Sequence, residues 1–106
     1  MSIQAYNVRE ICIRVFAVNN MPDLRPEDST FRSGKMRPHT VEITYERADD
    51  RSWKIHQVQV EGYRVRKNGG HGIPSWKVFY HASDFLEKSG STIPAWLKTW
   101  VLHQAI

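Results

Sequence analysis

A single cysteine, Cys12, is all the sulfhydryl chemistry this chain holds. An internal disulfide needs two, so no disulfide framework staples the fold, and a reduced, cytoplasmic setting is expected. No run of apolar residues approaches the roughly 18 that a membrane-spanning helix needs. The opening Met1-Ser2-Ile3-Gln4 lacks a basic segment leading into an apolar one, so no secretory signal is expected. Internal repeats and low-complexity tracts are absent. Carboxylates are missing where they would be noticed. None lies between Gly62 and His81, a stretch holding Arg64, Arg66, Lys67 and Lys77, and none between Phe31 and Val41, which holds Arg32, Lys35 and Arg37.

Catalytic and metal motifs are also missing. The chain has five histidines, but no H-x3-H, C-x2-C or H-E-x-x-H spacing that would place two ligands on one metal. No metal or cofactor is expected. His81, Ser83 and Asp84 supply the letters of a catalytic triad, yet neighbours at a strand-to-helix junction are not aimed at one another, and Asp84 reads better as a helix cap. Cys12, inside the apolar run VREICIRVF, reads as a small packed hydrophobe rather than a nucleophile. Asn68-Gly69-Gly70-His71-Gly72 is glycine-rich but lacks the GK[ST] ending of a phosphate-binding loop. No catalytic spacing stands out, and a non-enzymatic role is expected.

What is present is ordinary globular material: 106 residues, 41% hydrophobic and 25% charged, with a mean hydropathy of -0.53. This predicts one domain over residues 1–106. The net charge is +4, and it is unevenly placed. Residues 1–52 balance eight basic with eight acidic side chains, whereas residues 53–106 carry seven basic and three acidic.

Along the chain, Val8–Val18 alternates. Ile11, Ile13, Val15 and Ala17 share one face, with Arg14 opposite between Cys12 and Phe16. β-Branched alternation predicts a strand, covered at least partly on both faces. Residues 19–38, with Pro22, Pro26, Gly34 and Pro38, show no period and predict a long irregular loop, a place for partner contact. Thr40–Arg47 alternates cleanly as a half-buried strand. Trp53–Lys67 reads as a longer strand whose apolar parity slips by one residue. That slip predicts a β-bulge near His56-Gln57, with a second irregularity at Gly62. The Asn68-Gly69-Gly70 turn then reverses the chain into a strand at Trp76–Tyr80.

The C-terminal part changes period. Asp84–Glu87 has the form of a capping box for about one helical turn, with Gly90 as the stop. Ile93, Trp96, Leu97, Trp100 and Val101 follow the i, i+3, i+4, i+7, i+8 pattern of an amphipathic helix, with Pro94 in its first turn. The pieces predict an α+β fold: a small antiparallel sheet of about four strands with this helix packed on one face. Trp96 and Trp100 are the expected plug over Val41, Ile43, Tyr45, Val58 and Val60.

The strand Trp53-Lys54-Ile55-His56-Gln57-Val58-Gln59-Val60-Glu61-Gly62, the Asn-Gly turn and the closing Ile93-Pro94-Ala95-Trp96-Leu97 together resemble small uncharacterised proteins of actinobacteria and their phages. Those proteins pair a W-x-[IV]-x-x-V-x-V-x-G strand with a P-x-W-[LV] helix. The resemblance covers residues 40–104 and leaves out Val8–Pro38. It implies a phage-type or prophage-type context, in which small proteins bind and redirect a host protein. It carries over no activity and no site residues.

The functional expectation follows from charge. A hairpin carrying Arg64, Arg66, Lys67, His71 and Lys77, with Arg32, Lys35 and Arg37 contributed from the 19–38 loop, predicts a contact surface for an acidic protein partner. The alternative is a nucleic-acid-binding accessory protein, with the basic ribbon lying along phosphates and Tyr63 and Trp76 placed to stack on bases. Alternation predicts Arg64 and Arg66 as one basic stripe, with Tyr63 and Val65 on the other side.

Overall fold

Alternating polarity becomes four strands in the computed structural model of the chain: β1 (Arg9–Ala17), β2 (Lys35–Ala48), β3 (Lys54–Val65) and β4 (Trp76–His81). Two helices follow, α1 (Ala82–Leu86) and α2 (Ala95–His103). The structure describes residues 9–28, 34–48, 52–65, 76–86 and 93–104. The strands pair antiparallel in the order β1-β2-β3-β4, so every ladder joins sequence neighbours. The α+β class expected from the sequence is the observed one.

The predicted one-residue slip in β3 is present. Thr44 pairs with Gln57 and Tyr45 with Ile55, which leaves His56 as the extra residue. A second shift lies opposite Gly62. There Pro38 pairs with Gly62 and Thr40 with Glu61, so the bulged residue is His39 of β2. Proline cannot donate to a ladder and is tolerated inside a sheet at such a bulge. Gly62 is required by proximity: a Cβ there would run into the Arg37 carbonyl oxygen and the Met36 sulfur, and would stand 2.7 Å from the Arg37 carbonyl carbon.

One face of the sheet carries the core. Val41, Ile43 and Tyr45 of β2, Val58 and Val60 of β3, and Val78 and Tyr80 of β4 are buried, closed over by Ile93, Leu97 and Val101. This corrects the expected plug. Trp96 and Trp100 pack only partly buried against the core, and Trp100 meets Phe16 edge-on at 5.3 Å between ring centroids. An apolar stripe at this spacing is a wide arc, and either of its sides can face the sheet. Here the shorter Leu97 and Val101 point straight down, while the indoles reach sideways over the end of β1.

The 19–38 segment is more built than its composition suggests. β2 begins at Lys35, so the last four residues of the expected loop are strand. Leu24 is fully buried and pairs with Met36: the Leu24 N–H donates to the Met36 carbonyl at 2.8 Å, and the Met36 N–H donates back at 2.9 Å. A 3-10 turn at Pro26–Asp28 follows, and the Tyr80 hydroxyl donates to the Asp28 carbonyl at 3.0 Å. Gly34 takes the positive φ of +90° from which the chain enters β2.

Two further expectations change. The apolar face of β1 is exposed rather than covered: Ile11 is 55%, Ile13 56% and Val15 63% exposed. Cys12 and Phe16 take the side that packs on the core, and Tyr63 and Phe79 are likewise exposed on the outer face of the sheet. At α1, Asp84 caps from inside the helix rather than starting it, and its carboxylate accepts the His81 N–H at 2.9 Å. Glu87 and Gly90 lie outside the described residues.

The buried phenols give a testable pH dependence. Burial pushes the Tyr80 hydroxyl far above its ordinary value of 10.0, and the Asp28 and Asp84 carboxylates act in the same direction. Burial raises Tyr45 as well, against the opposing influence of Arg14; its hydroxyl donates to the Gln104 carbonyl at the end of α2. A raised value means the folded chain keeps a proton that the unfolded chain releases. The stabilisation is therefore complete below pH 10 and is lost as the pH rises beyond it, at up to about 1.4 kcal/mol per pH unit for each group. Urea titrations on either side of pH 10 should show this decline, and Tyr80→Phe should flatten it.

Candidate interaction surface

Antiparallel pairing brings the two acid-free stretches to one end of the sheet. Lys35 lies opposite Val65, Met36 opposite Arg64 and Arg37 opposite Tyr63. On the next ladder, Glu61 faces Lys77 and Gly62 faces Trp76. Directly opposed residues share a face, so Lys35, Arg37, Tyr63 and Lys77 stand on the outer face. Arg64 and Trp76 stand on the core side, at its open end. Arg64 thus lies on the face opposite Tyr63 and Val65, as alternation predicts, while Arg66 lies outside the described residues.

The Arg64 guanidinium lies over the Trp76 ring, 5.3 Å from its centroid. Cation–π stacking of this kind holds a cation in place without neutralising it. Among the described residues no carboxylate pairs with Arg64. Arg37 differs, since its Nε lies 3.3 Å from the Asp23 carboxylate. Glu61 stands directly opposite Lys77 and approaches His39 Nε2 at 3.8 Å. That distance is beyond a hydrogen bond. The His39 Nε2 is buried with no hydrogen-bond partner among the described residues, and its ring lies against Tyr63, 4.5 Å between centroids. Exposed cations, two carboxylates and aromatic faces therefore alternate across this end.

Of the residues proposed from the sequence, Lys35, Arg37, Arg64 and Lys77 are brought together. Arg32, Arg66, Lys67 and His71 lie outside the described residues. Sequence reasoning missed Asp23 and Glu61 as members of the surface and Trp76 as the platform for Arg64. Only the register juxtaposes them.

A second arginine–tryptophan stack marks the opposite end of the sheet, where Arg47 lies 4.8 Å from the centre of Trp53. Glu10 holds this guanidinium, at 2.8 Å from its Nη2 and 2.9 Å from its Nε. Its charge is neutralised within the fold, which makes it a structural pair. A groove also opens between the end of β1 and α2, lined by Phe16, Val18, Met21, Pro22, Trp96 and Trp100. Asn19 and Asn20 add amides to this largely aromatic lining, and none of the lining side chains is titratable. Among the described residues no three His, Cys, Asp or Glu side chains converge on a point where a metal ion would sit, and no helix is long and apolar enough to cross a membrane.

No family model matches this chain, and neither a curated protein nor a solved structure shows significant similarity to it.

Proposed function

We propose that this chain is a small cytoplasmic, non-enzymatic accessory protein of phage type that binds an acidic host protein and modulates it. The observation that carries this reading is Arg64 stacked on Trp76 at one end of the sheet, with Lys35, Arg37 and Lys77 on the other face of that same end. Arginine and tryptophan are the residue types that most often dominate protein interfaces. A guanidinium already positioned on an indole loses less freedom when it meets a carboxylate.

A protein partner is favoured over nucleic acid by the interleaved carboxylates. Asp23 on Arg37 and Glu61 opposite Lys77 interrupt what would have to be an unbroken row of cations along a phosphate backbone. Mixed charge at the same end of the sheet as an arginine–aromatic pair suits another protein's surface.

The test is capture from nuclease-treated host lysate, followed by binding of the identified partner to wild type and to Lys35→Glu/Arg64→Glu/Lys77→Glu. Arg64→Glu alone should cost about 2 kcal/mol or more, roughly 30-fold in Kd, and the triple variant should lose binding while keeping its circular dichroism. An unchanged affinity and salt slope in a folded triple variant would move the contact surface elsewhere. Binding of bulk duplex DNA, with affinity falling steeply with salt, would favour the nucleic-acid reading instead.

A further inference from the structure

We infer that His39 is a proton-operated latch on the Glu61 carboxylate: protonated at Nε2, the ring draws Glu61 onto the β2 bulge and leaves the cation of Lys77 unscreened. Its effect on binding rests on reading this end of the sheet as a contact surface. His39 is the residue that the second register shift leaves extra in β2. Its ring nitrogen Nδ1 shares a hydrogen bond with the Thr40 hydroxyl at 2.7 Å. Nε2 is buried with no hydrogen-bond partner among the described residues, and Glu61 stands off at 3.8 Å. A buried polar atom without a partner is rare in a folded chain. The carboxylate that faces it is also the ladder partner of Lys77 on the other side, and among the described residues it makes no ion pair with that lysine.

Protonation changes what the ring can offer. In a neutral imidazole one nitrogen donates and the other accepts. With the proton on Nδ1, Nε2 presents a lone pair, which a carboxylate cannot satisfy. With the proton on Nε2, the N–H carries no charge to set against the ammonium of Lys77. The imidazolium donates from both nitrogens, from Nδ1 to the Thr40 hydroxyl oxygen and from Nε2 to Glu61. A charge-assisted bond of that kind closes to about 2.8 Å. The charged and titratable groups around the ring are few. Glu61 and Tyr63 face it from β3, with the Tyr63 ring 4.5 Å away between centroids, a distance at which an aromatic face attracts a cation. Arg37 is the neighbouring cation on its own strand, its Nε 3.3 Å from the Asp23 carboxylate. From the β1 side the backbone of Val18 meets His39, and valine does not titrate. Lys77 of β4 lies one ladder further out. One carboxylate thus stands between a lysine and a histidine, and histidine is the side chain that ordinarily changes charge between about pH 5 and 8.

NMR titration of the isotopically labelled full chain between about pH 5 and 8 tests the latch without a partner. As the His39 ring titrates, the Glu61 carboxyl carbon and the Lys77 ε-methylene signals should move with the same midpoint. In His39→Gln both steps should vanish. In Glu61→Gln the Lys77 step should vanish while the ring still titrates. A Glu61 signal that stays flat as the wild-type ring titrates overturns the inference, and so does a Lys77 step that survives in a folded His39→Gln chain. The wild-type titration decides even where a variant fails to fold. The second arm is binding of an oligo-aspartate peptide, used as an acidic probe. Its affinity should rise about two- to fivefold on moving from pH 8 to pH 6, beyond any change seen with His39→Gln. Coupled NMR steps with peptide binding indifferent to His39 would establish the latch and move the contact surface elsewhere.

Discussion

Leu24→Ala should lower the unfolding free energy by about 2–5 kcal/mol, a large share of the roughly 5–15 kcal/mol a domain possesses. Leu24 is among the largest fully buried side chains, alongside Met36 and Tyr80. Truncating it leaves a cavity that its neighbours are ill placed to fill. Met36 is tied to the Leu24 backbone by two hydrogen bonds, and Tyr80 is held through its hydroxyl by Asp28. Leu24 is the fully buried anchor of residues 18–28, beside the backbone bonds of Val18 to His39 and of Leu24 to Met36 and the Tyr80–Asp28 bond, so the loss should extend beyond the void. Chemical denaturation is the direct measurement. A change under 1 kcal/mol would mean that residues 18–28 contribute little to the folded state.

Gly62→Ala should also be damaging, at or above the roughly 1–3 kcal/mol typical of overpacking. The obstruction is backbone. The new methyl meets the Arg37 carbonyl as well as the Met36 sulfur, and a carbonyl inside a ladder cannot step aside as a rotamer can. Relief would require β2 and β3 to separate at the His39 bulge, where Pro38 already removes one donor. The same event would disturb the Arg64–Trp76 stack, since Gly62 is the ladder partner of Trp76. Thermal melting reports the stability loss, and quenching of tryptophan fluorescence by iodide would follow the stack.

Much of the fold was legible because strands repeat every two residues. Val41, Ile43 and Tyr45 declare a strand by parity alone, and a one-residue slip between Ile55 and Val58 can only be a bulge. The C-terminal helix was equally plain from its spacing. What parity cannot say is which face looks inward. In β1 the β-branched side looks like core, yet Cys12 and Phe16 are the residues that meet it, because Phe16 packs against Trp100. Nor does a stripe say which of its sides lands on the sheet, so Trp96 and Trp100 were placed too deep. Leu24 had no periodic neighbours to announce it; its burial depends on Met36, which meets it only in space. The same holds for the surface. Missing carboxylates pointed to Lys35, Arg37, Arg64 and Lys77, whereas Asp23 and Glu61 enter through pairing across the ladder.

The order in which the parts leave the ribosome gives the fold a period of exposure. Every ladder of the sheet closes between neighbours in sequence, so the meander can zip as it emerges, hairpin by hairpin. Part of the cover of its inner face comes from Ile93, Leu97 and Val101, which follow the end of the last strand at His81. At about 5–20 residues per second, synthesis of that remainder lasts roughly one to four seconds. For that interval Val41, Ile43, Val58 and Val60 lack the part of their cover that Ile93, Leu97 and Val101 supply. A nascent chain stalled before Ile93 should therefore bind hydrophobic dyes and holding chaperones, and release them when translation resumes.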